Sequence, residues 1–517
     1  MNGGQGRNRT TDTRIFSPLL YQLSYLAKGT KYSKARRGSG GLVIAVENRC
    51  KFGCDETVTL SRSFWMSISF RNLSGYSGLL AFGLSALLAL PLPAHAANAL
   101  RAGPMVGDAD MHNVSIWLQT EKPGPVVLSY WPSEAPDQRR EMSLATRDEG
   151  IATATIRIRG LKPGQTYAYQ VSVDGKSGGV LQFKTQPRWQ YRNGVQPPNF
   201  RLAMGSCAYI NEPDKDRDGR PYGGDYQIFE RMADAKPDLT LWLGDNVYFR
   251  ENDYTSAEGM AHRYRHDRAL PQLQRLLQTG RHHAIWDDHD YGPNNSNQSF
   301  TLKADALSLF QRYWANRSHG LPGHPGVYGN FMEGDVEFFL MDNRSFRDSD
   351  EDLRNPSKAQ FGTEQMRWLK NALLASTATF KVIAAGGQFL NDYNRFEGWT
   401  HFKAERADFM EWLAANRVRG VIFLSGDRHH TELIRLPRHG HYPLYELTCS
   451  PLTAGASKGM GDEDKKSFLV PGTLVQQRNF CTIDFSGDRK ARKMVLKSYN
   501  SDGTPLWTHE INESELR

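Results

Sequence analysis

Four segments place metal-ligating side-chain types directly after apolar, β-rich runs. They are Gly205-Ser206-Cys207, Gly244-Asp245-Asn246-Val247-Tyr248, Asp287-Asp288-His289-Asp290 and Gly426-Asp427-Arg428-His429. Singly, each has an ordinary explanation: a Gly-Asp after a strand is a turn signal, and a strand-end cysteine commonly fills a core. Recurrence at the ends of four separate apolar runs points instead to one shared site. The donor set is chemically mixed. Thiolate and tyrosinate suit trivalent iron, so Cys207 and Tyr248 belong with such an ion, while Asp288 and Asp427 are hard oxygen donors better matched to Ca²⁺ or Mn²⁺. Cations about 3.5–4 Å apart lower the pKa of a bound water and clamp a phosphate. Asp245 is the candidate bridging carboxylate, and a short turn can return Tyr248 to the same cluster. His429 completes the set, and Asp287 replaces Asp288 as the ligand if the register is off by one.

Other residues near these segments could act on a substrate. His289 is the candidate acid beside the phosphoryl group, or else only orients a ligand. Arg344 and Arg347, in VEFFLMDNRSFR (336–347), could grip non-bridging oxygens bidentately; the competing account is a solvated loop or an ion pair with Asp342. Asn294, Asn295 and Gln388 are weaker polar candidates. Arg428 is read as pointing outward and His430 as structural. Asp214 to Gly219 opens like an EF-hand loop, but has no Glu twelve positions on, and a solvated charged loop is favoured.

The surrounding pattern must position these groups. Residues 100–187 alternate with period two in VSIWLQT, VVLSYWP, TATIRIRG and TYAYQVSVDG, separated by turn residues, as in a small β-sandwich. PRWQYRNGVQPPN (187–199) reads as a linker. From Phe200 strands and helices alternate: strands at 200–207, 239–246, 282–290, 336–347, 381–389 and 420–429, helices at 225–235, 363–376 and 401–416. Strand-like alternation returns over about 441–512. This is α/β grammar, with charged loops at strand C-termini, where open sheets of this class bind ligands.

The ordered set GSC, GDNVY, WDDHDYGPN, LMDNRSFR and SGDRHH resembles the alkaline phosphatase D (PhoD-like) family of metallophosphoesterases. The resemblance covers about residues 200–455, and the preceding β segment is similar to that family's N-terminal domain. It implies a calcineurin-like α/β/β/α double-sheet sandwich over 200–512, preceded by a fibronectin type III-like domain over 100–187. It also implies hydrolysis of phosphate mono- or diesters by a metal-bound hydroxide at a site holding Fe³⁺ with Ca²⁺, with Mn²⁺ or Zn²⁺ as alternatives. Position by position, Cys207, Asp245, Tyr248 and His429 match the iron ligands, and Asp245, Asp288 and Asp427 the calcium side. Asp288 and Asp427 stand where the wider superfamily has Asn and His, which favours a harder metal. Competing functions are a lipid or nucleic-acid phosphodiesterase, or a surface-binding protein with a degenerate site. Retention of all six ligand types speaks against the last.

Charge and cysteine content constrain location and partners. Residues 1–96 hold 12 of the 64 Lys+Arg and 4 of the 56 Asp+Glu, leaving 52 of each in the remainder. The net charge of +8 therefore belongs to the leader, and the neutral body gives no support to a nucleic-acid partner. Met66 opens a stretch with Arg71, an apolar run from Leu79 to Leu90 and Ala94-His95-Ala96, the layout of a secretory signal peptide over 66–96. Family members often carry a twin-arginine signal; one arginine here fits the general secretory type. Residues 1–65 are read as a non-native or unstructured extension. The expected product is an exported, periplasmic or extracellular monomer acting on a small-molecule or polymeric phosphate ester, with a membrane role only for the signal peptide. Beyond residue 96 only Cys207, Cys449 and Cys481 remain, so at least one is not paired within the chain; a Cys449–Cys481 bridge is allowed but not required.

Overall fold

The computed structural model describes residues 99–517 apart from 149, 191, 393–395 and 458–467. The signal peptide and the extension read at 1–96 lie outside the described residues. Two large sheets form the body. One has nine strands, in the order Pro505–Asn512, Lys493–Asn500, Asn479–Ser486, Phe200–Gly205, Leu239–Leu243, Arg281–Ile285, Leu100–Ala109, Asn113–Thr120 and Thr153–Arg159. The other has six: Gly329–Glu333, Val336–Leu340, Phe380–Ala384, Val421–Ser425, His441–Thr448 and Glu432–Arg438.

The central strands of both sheets are parallel. LTLWL, VEFFL, FKVIA and VIFLS are buried at every position, as expected for strands covered on both faces. The sheets pack against each other through aromatic rings. Phe200 and Phe485 of the nine-stranded sheet stack at 4.7 Å, and Phe338 and Phe380 of the other sheet lie 6.3 and 5.8 Å from Phe485. Helices Thr363–Ala375 and Lys403–Ala415 cover the far face of the six-stranded sheet, placing Leu369, Leu373, Phe409 and Leu413 against Phe339, Ile383 and Phe423. Helices Gln227–Asp234, Ala257–Arg268, Pro271–Leu277 and Lys303–Tyr313 pack their apolar side chains into the core of the nine-stranded sheet. The result is an α/β/β/α sandwich.

The β-rich segment before residue 187 divides between two sheets. Gly124–Pro132, Arg140–Thr146 and Thr166–Val173 build a separate sheet. Leu100–Ala109 pairs parallel with Arg281–Ile285 at Val106 and Arg281, so this segment also extends the large sheet. The cysteine pairing left open by sequence is formed: Cys449 and Cys481 are bonded, joining the end of a six-sheet strand to a nine-sheet strand. Cys207 is the free, buried thiol. Among the described residues, no helix is long and apolar enough to cross a membrane.

Candidate metal centre

The parallel strands of both sheets end at one edge, and the turns that follow them meet there. Contact is close enough to exclude side chains: a Cβ on Gly426 would lie 2.4 Å from Ser206 Oγ, and one on Gly386 would lie 2.4 Å from Asp287 Cγ. Turning sharply off a strand end takes unusual backbone. Cys207, Asp245, Asp427 and His429 all sit in the left-handed region, with φ of 61, 51, 65 and 53°. Each such non-glycine residue costs on the order of 1 kcal/mol or more, and this strain concentrates where it aims side chains at a common point.

Asp290 ties two of the turns together. Its Oδ1 accepts the backbone N–H of Asp287 (2.6 Å) and Asp245 (3.3 Å), and its Oδ2 accepts the backbone and side-chain N–H of Asn246 (3.1 and 2.6 Å). One buried carboxyl, pushed up to about 7 by burial, therefore fixes the register between the second and third motifs.

The side chains then converge. Cys207 Sγ lies 3.5 Å from Asp245 Oδ2, and Tyr248 Oη is 3.2 Å from Asp245 Oδ2 and 3.2 Å from His429 Nε2. Donor atoms of Cys207, Asp245 and His429 lie within 4.8 Å of one another, as do those of Asp245, Asp288 and His289. Asp245 belongs to both groups, as a bridging carboxylate requires. A third group joins Asp287, Asp288 and Glu397. Asp427 belongs to none of the three, although its carboxyl is close enough to feel the charges of Asp287, Glu397 and Asp288.

The electrostatics favour cations. Burial, then the charge of Asp288, drives Asp245 well above the carboxylate range. Burial, then Asp287 and Glu397, raises Asp427 to about 8, and burial raises Asp287 to about 7 despite Arg344. Burial acts upward on Asp288 too, but His289, Arg344 and the Asn295 N–H hold it below its usual range. The Cys207 thiol goes up to about 12, and the Tyr248 phenol rises well above its normal value, mainly through burial. So many acids cannot all ionise in one buried pocket unless positive charge joins them. Asp287 Oδ2 and Asp288 Oδ1 are buried without a hydrogen bond, which is what ligand atoms awaiting a cation would show. The residues fit a metal cluster.

These raised carboxyls predict an inverted pH response in the metal-free protein. Asp427 and Asp287 retain protons that the unfolded chain releases from about pH 3.8 upward. Folded protein then binds more protons than unfolded, so stability falls as pH rises towards about 8. Buried histidines such as His282 and His283, held neutral in the fold, act the other way below about pH 6.5, so thermal unfolding of chelator-treated protein should show the midpoint dropping from pH 7 to pH 8. Added cations should abolish the drop. A midpoint that rises over that interval would contradict the assigned protonation.

The two arginines are placed differently from the phosphate-gripping expectation. Arg344 is fully buried and its Nε donates to Asp287 Oδ1 at 2.5 Å; its guanidinium also pairs with Glu397 and lies 3.7 Å from Asp288. Asp342, the ion-pair partner considered from sequence, accepts only the backbone N–H of Arg344. Arg347 pairs with Asp350 (2.7 Å) and lies over the Phe402 ring. Both are committed to protein carboxylates. His289 stacks on Tyr248 at 4.2 Å and its ring groups with Asp245 and Asp288, so it is placed to ligate as well as to meet a substrate. Asn295 contributes its backbone N–H to Asp288, whereas Gln388 bonds Glu432 and Thr448 in a buried network. Arg428 is buried over the Phe396 ring rather than pointing outward, and buried His430 lies 3.4 Å from Glu432. Asp216 of the EF-hand-like loop accepts from Arg250, Tyr209 and the Glu212 N–H, which leaves that carboxylate committed to the protein.

Several participants carried no sequence signal. Ser450 donates to Cys207 Sγ at 3.0 Å and accepts the His429 N–H at 3.1 Å. Tyr222 Oη is 3.1 Å from His429 Nδ1, which also meets the Gly455 carbonyl at 2.6 Å, so the outer nitrogen is held and Nε2 faces the cluster. Asn343 donates to Asp287, and Glu397 neutralises Arg344.

The sequence profile of PhoD-like phosphatases matches residues 202–490, more than half of the chain. The chain belongs to this family. A domain of unknown function (DUF7800) matches residues 97–187. A curated member, alkaline phosphatase D of Bacillus subtilis (strain 168), is 26% identical over 322 residues, covering 53% of this chain and 52% of that protein. The match thus spans about half the length of the curated relative. The solved structure of PhoD superposes with a TM-score of 0.64 at 20% identity, over 78% of this chain and 91% of that one. Purple acid phosphatase PPD1 from yellow lupin (Lupinus luteus) seeds gives 0.55 at 13% identity, over 80% and 74%. These two show the calcineurin-like fold of the family.

Proposed function

We propose that the protein is an exported, metal-dependent hydrolase of phosphate mono- or diesters. The observation that carries this is Asp245, whose carboxylate stands in two donor groups, one with Cys207 and His429 and the other with Asp288 and His289. Bound cations would supply an activated water and positive charge for the phosphoryl oxygens. In the assignment favoured here, Cys207, Asp245, Tyr248 and His429 hold Fe³⁺, while Asp245, Asp288 and Asp427 face Ca²⁺, with Mn²⁺ or Zn²⁺ as alternative occupants. The thiol and phenol support a trivalent ion, because thiolate and tyrosinate stabilise Fe³⁺ better than a hard divalent ion. In the reaction the oxygen of water joins phosphorus, the P–O bond to the alcohol breaks, and the alcohol leaves with a proton from solvent or from His289. Burial lowers the His289 pKa, which favours a neutral ring whose N–H meets a phosphoryl oxygen. Arg344 and Arg347 support the site by fixing Asp287 and Glu397 rather than by touching substrate.

Hydrolysis of a phosphomonoester and a phosphodiester by the purified chain, lost on chelation and restored by Ca²⁺ with iron, is the decisive assay. No turnover of either ester under any metal would end the proposal. The iron assignment has its own readout. Tyrosinate on Fe³⁺ should give a visible charge-transfer band that disappears in Tyr248→Phe. A colourless active protein would move the assignment to Mn²⁺ or Zn²⁺.

A further inference from the structure

Cys207 reaches the centre from the nine-stranded sheet and His429 from the six-stranded one, so the gap between these two donors depends on how the sheets meet. Both residues hold left-handed backbone, with φ of 61 and 53°. Such conformations last only where surrounding contacts over-determine them. One side chain touches both. Ser450 Oγ donates to Cys207 Sγ at 3.0 Å and accepts the His429 backbone N–H at 3.1 Å. A hydroxyl has one proton to give, and here it goes to the sulfur.

Ser450 is fully buried and is itself fixed from both sheets. Its N–H donates to Thr431 Oγ1 at 3.1 Å, and its carbonyl accepts Asn479 Nδ2 at 2.9 Å. The residue before it, Cys449, donates its N–H to the Ser425 carbonyl at 2.9 Å and is bonded to Cys481. Asn479 and Cys481 belong to a strand of the nine-stranded sheet, and Ser425 ends a strand of the other. The hydroxyl therefore cannot swing away without breaking buried hydrogen bonds. Ser206 is a second hydroxyl near the sulfur, but its Oγ is 3.4 Å away and also meets the Cys449 carbonyl at 3.2 Å.

We propose that Ser450 is a positioning residue of the metal centre: its hydroxyl donates to the sulfur of Cys207 in the metal-bound thiolate form and holds that sulfur in place relative to His429. This rests on the metal-dependent function above and deepens it. A deprotonated sulfur only accepts hydrogen bonds, and Asp245 Oδ2, 3.5 Å from it, offers another acceptor. A donor preset by the fold steadies the sulfur there, as outer hydrogen-bond partners do for metal ligands generally. A hydrogen bond to a ligating sulfur also withdraws charge from it and so tunes the bound ion.

The test titrates the metal-free full chain with Co²⁺, whose bond to a thiolate gives a near-ultraviolet charge-transfer band whichever ion is native. Ser450→Ala should weaken Co²⁺ binding about 10- to 100-fold. It should also move the band to longer wavelength, because a sulfur that has lost a hydrogen bond gives up charge more easily. Ser450→Thr, which keeps a hydroxyl, should return the band towards its wild-type position. Ser206→Ala, which removes the farther hydroxyl, should move it less. Unfolding of the metal-free variants reads any general loss of packing separately. An unmoved band in Ser450→Ala, whatever its affinity, would overturn the assignment, as would a larger shift in Ser206→Ala. A wild type that takes up Co²⁺ without a thiolate band, or not at all, would instead bring down the metal centre on which the assignment rests.

Discussion

Asp245→Ala should lower kcat/KM for phosphate esters by on the order of 10³-fold or more, with the fold intact. Among the described residues no other side chain stands in both the Cys207–His429 and the Asp288–His289 groups, so its removal separates the two halves of the centre. Its Oδ2 also meets the Tyr248 hydroxyl and its Oδ1 accepts the His289 backbone N–H, so one truncation loosens the phenol and the turn bearing Asp288 together. Removing the acid relieves its burial but leaves the His289 N–H without its acceptor and puts Ala in a left-handed conformation, so the metal-free protein should keep its circular dichroism and lose no more than about 1–3 kcal/mol of stability. Metal content should fall with activity. Wild-type turnover in this variant would remove the shared carboxylate and with it the two-group centre. Loss in Asp245→Ala but not in His289→Ala would restrict the histidine to orientation.

Arg344→Ala should be the most damaging single change to stability, costing about 3–5 kcal/mol in urea unfolding of the metal-free protein. The guanidinium is wholly buried between Asp287 and Glu397, and its loss leaves Asp287 with no counter-charge and Glu397 with only Arg347, 3.7 Å away. Asn343 would still donate to Asp287, so one hydrogen bond survives, but it cannot replace the charge. Such an arginine differs measurably from one that grips substrate. A substrate contact would raise KM with stability unchanged. A brace lowers stability and metal affinity while KM moves little for whatever protein remains loaded. Unfolding at parental urea concentrations together with a raised KM would return Arg344 to the phosphate-binding role suggested by its position after an apolar strand.

The chain order alone revealed where chemistry would gather. Three of the four motifs follow apolar strands (FRLAMG, LTLWL and VIFLS) and the fourth follows the buried RHHAI, and a polar turn after such a strand has only the sheet edge to occupy. The α/β grammar from Phe200, the helices near 363–376 and 401–416, and a mixed donor set are therefore all legible in the sequence. The charge count also assigned the basic excess to residues 1–96, because composition is independent of fold.

What only tertiary structure decided was which atoms face one another. The pairing of Cys449 with Cys481 depends on two sheets stacking. Asp427 lies outside the closest donor groups, while Glu397, from a loop with no recognisable pattern, lies inside one. Arg344 turned from expected substrate contact to buried brace because a carboxylate reached from a strand-distant loop competes for it at close range, and a motif records only neighbours along the chain. Tyr222 and Ser450 were invisible for the same reason. Side-chain identity travels with sequence, but distance across a sandwich is set by how two sheets register, and that is a property of the packed core.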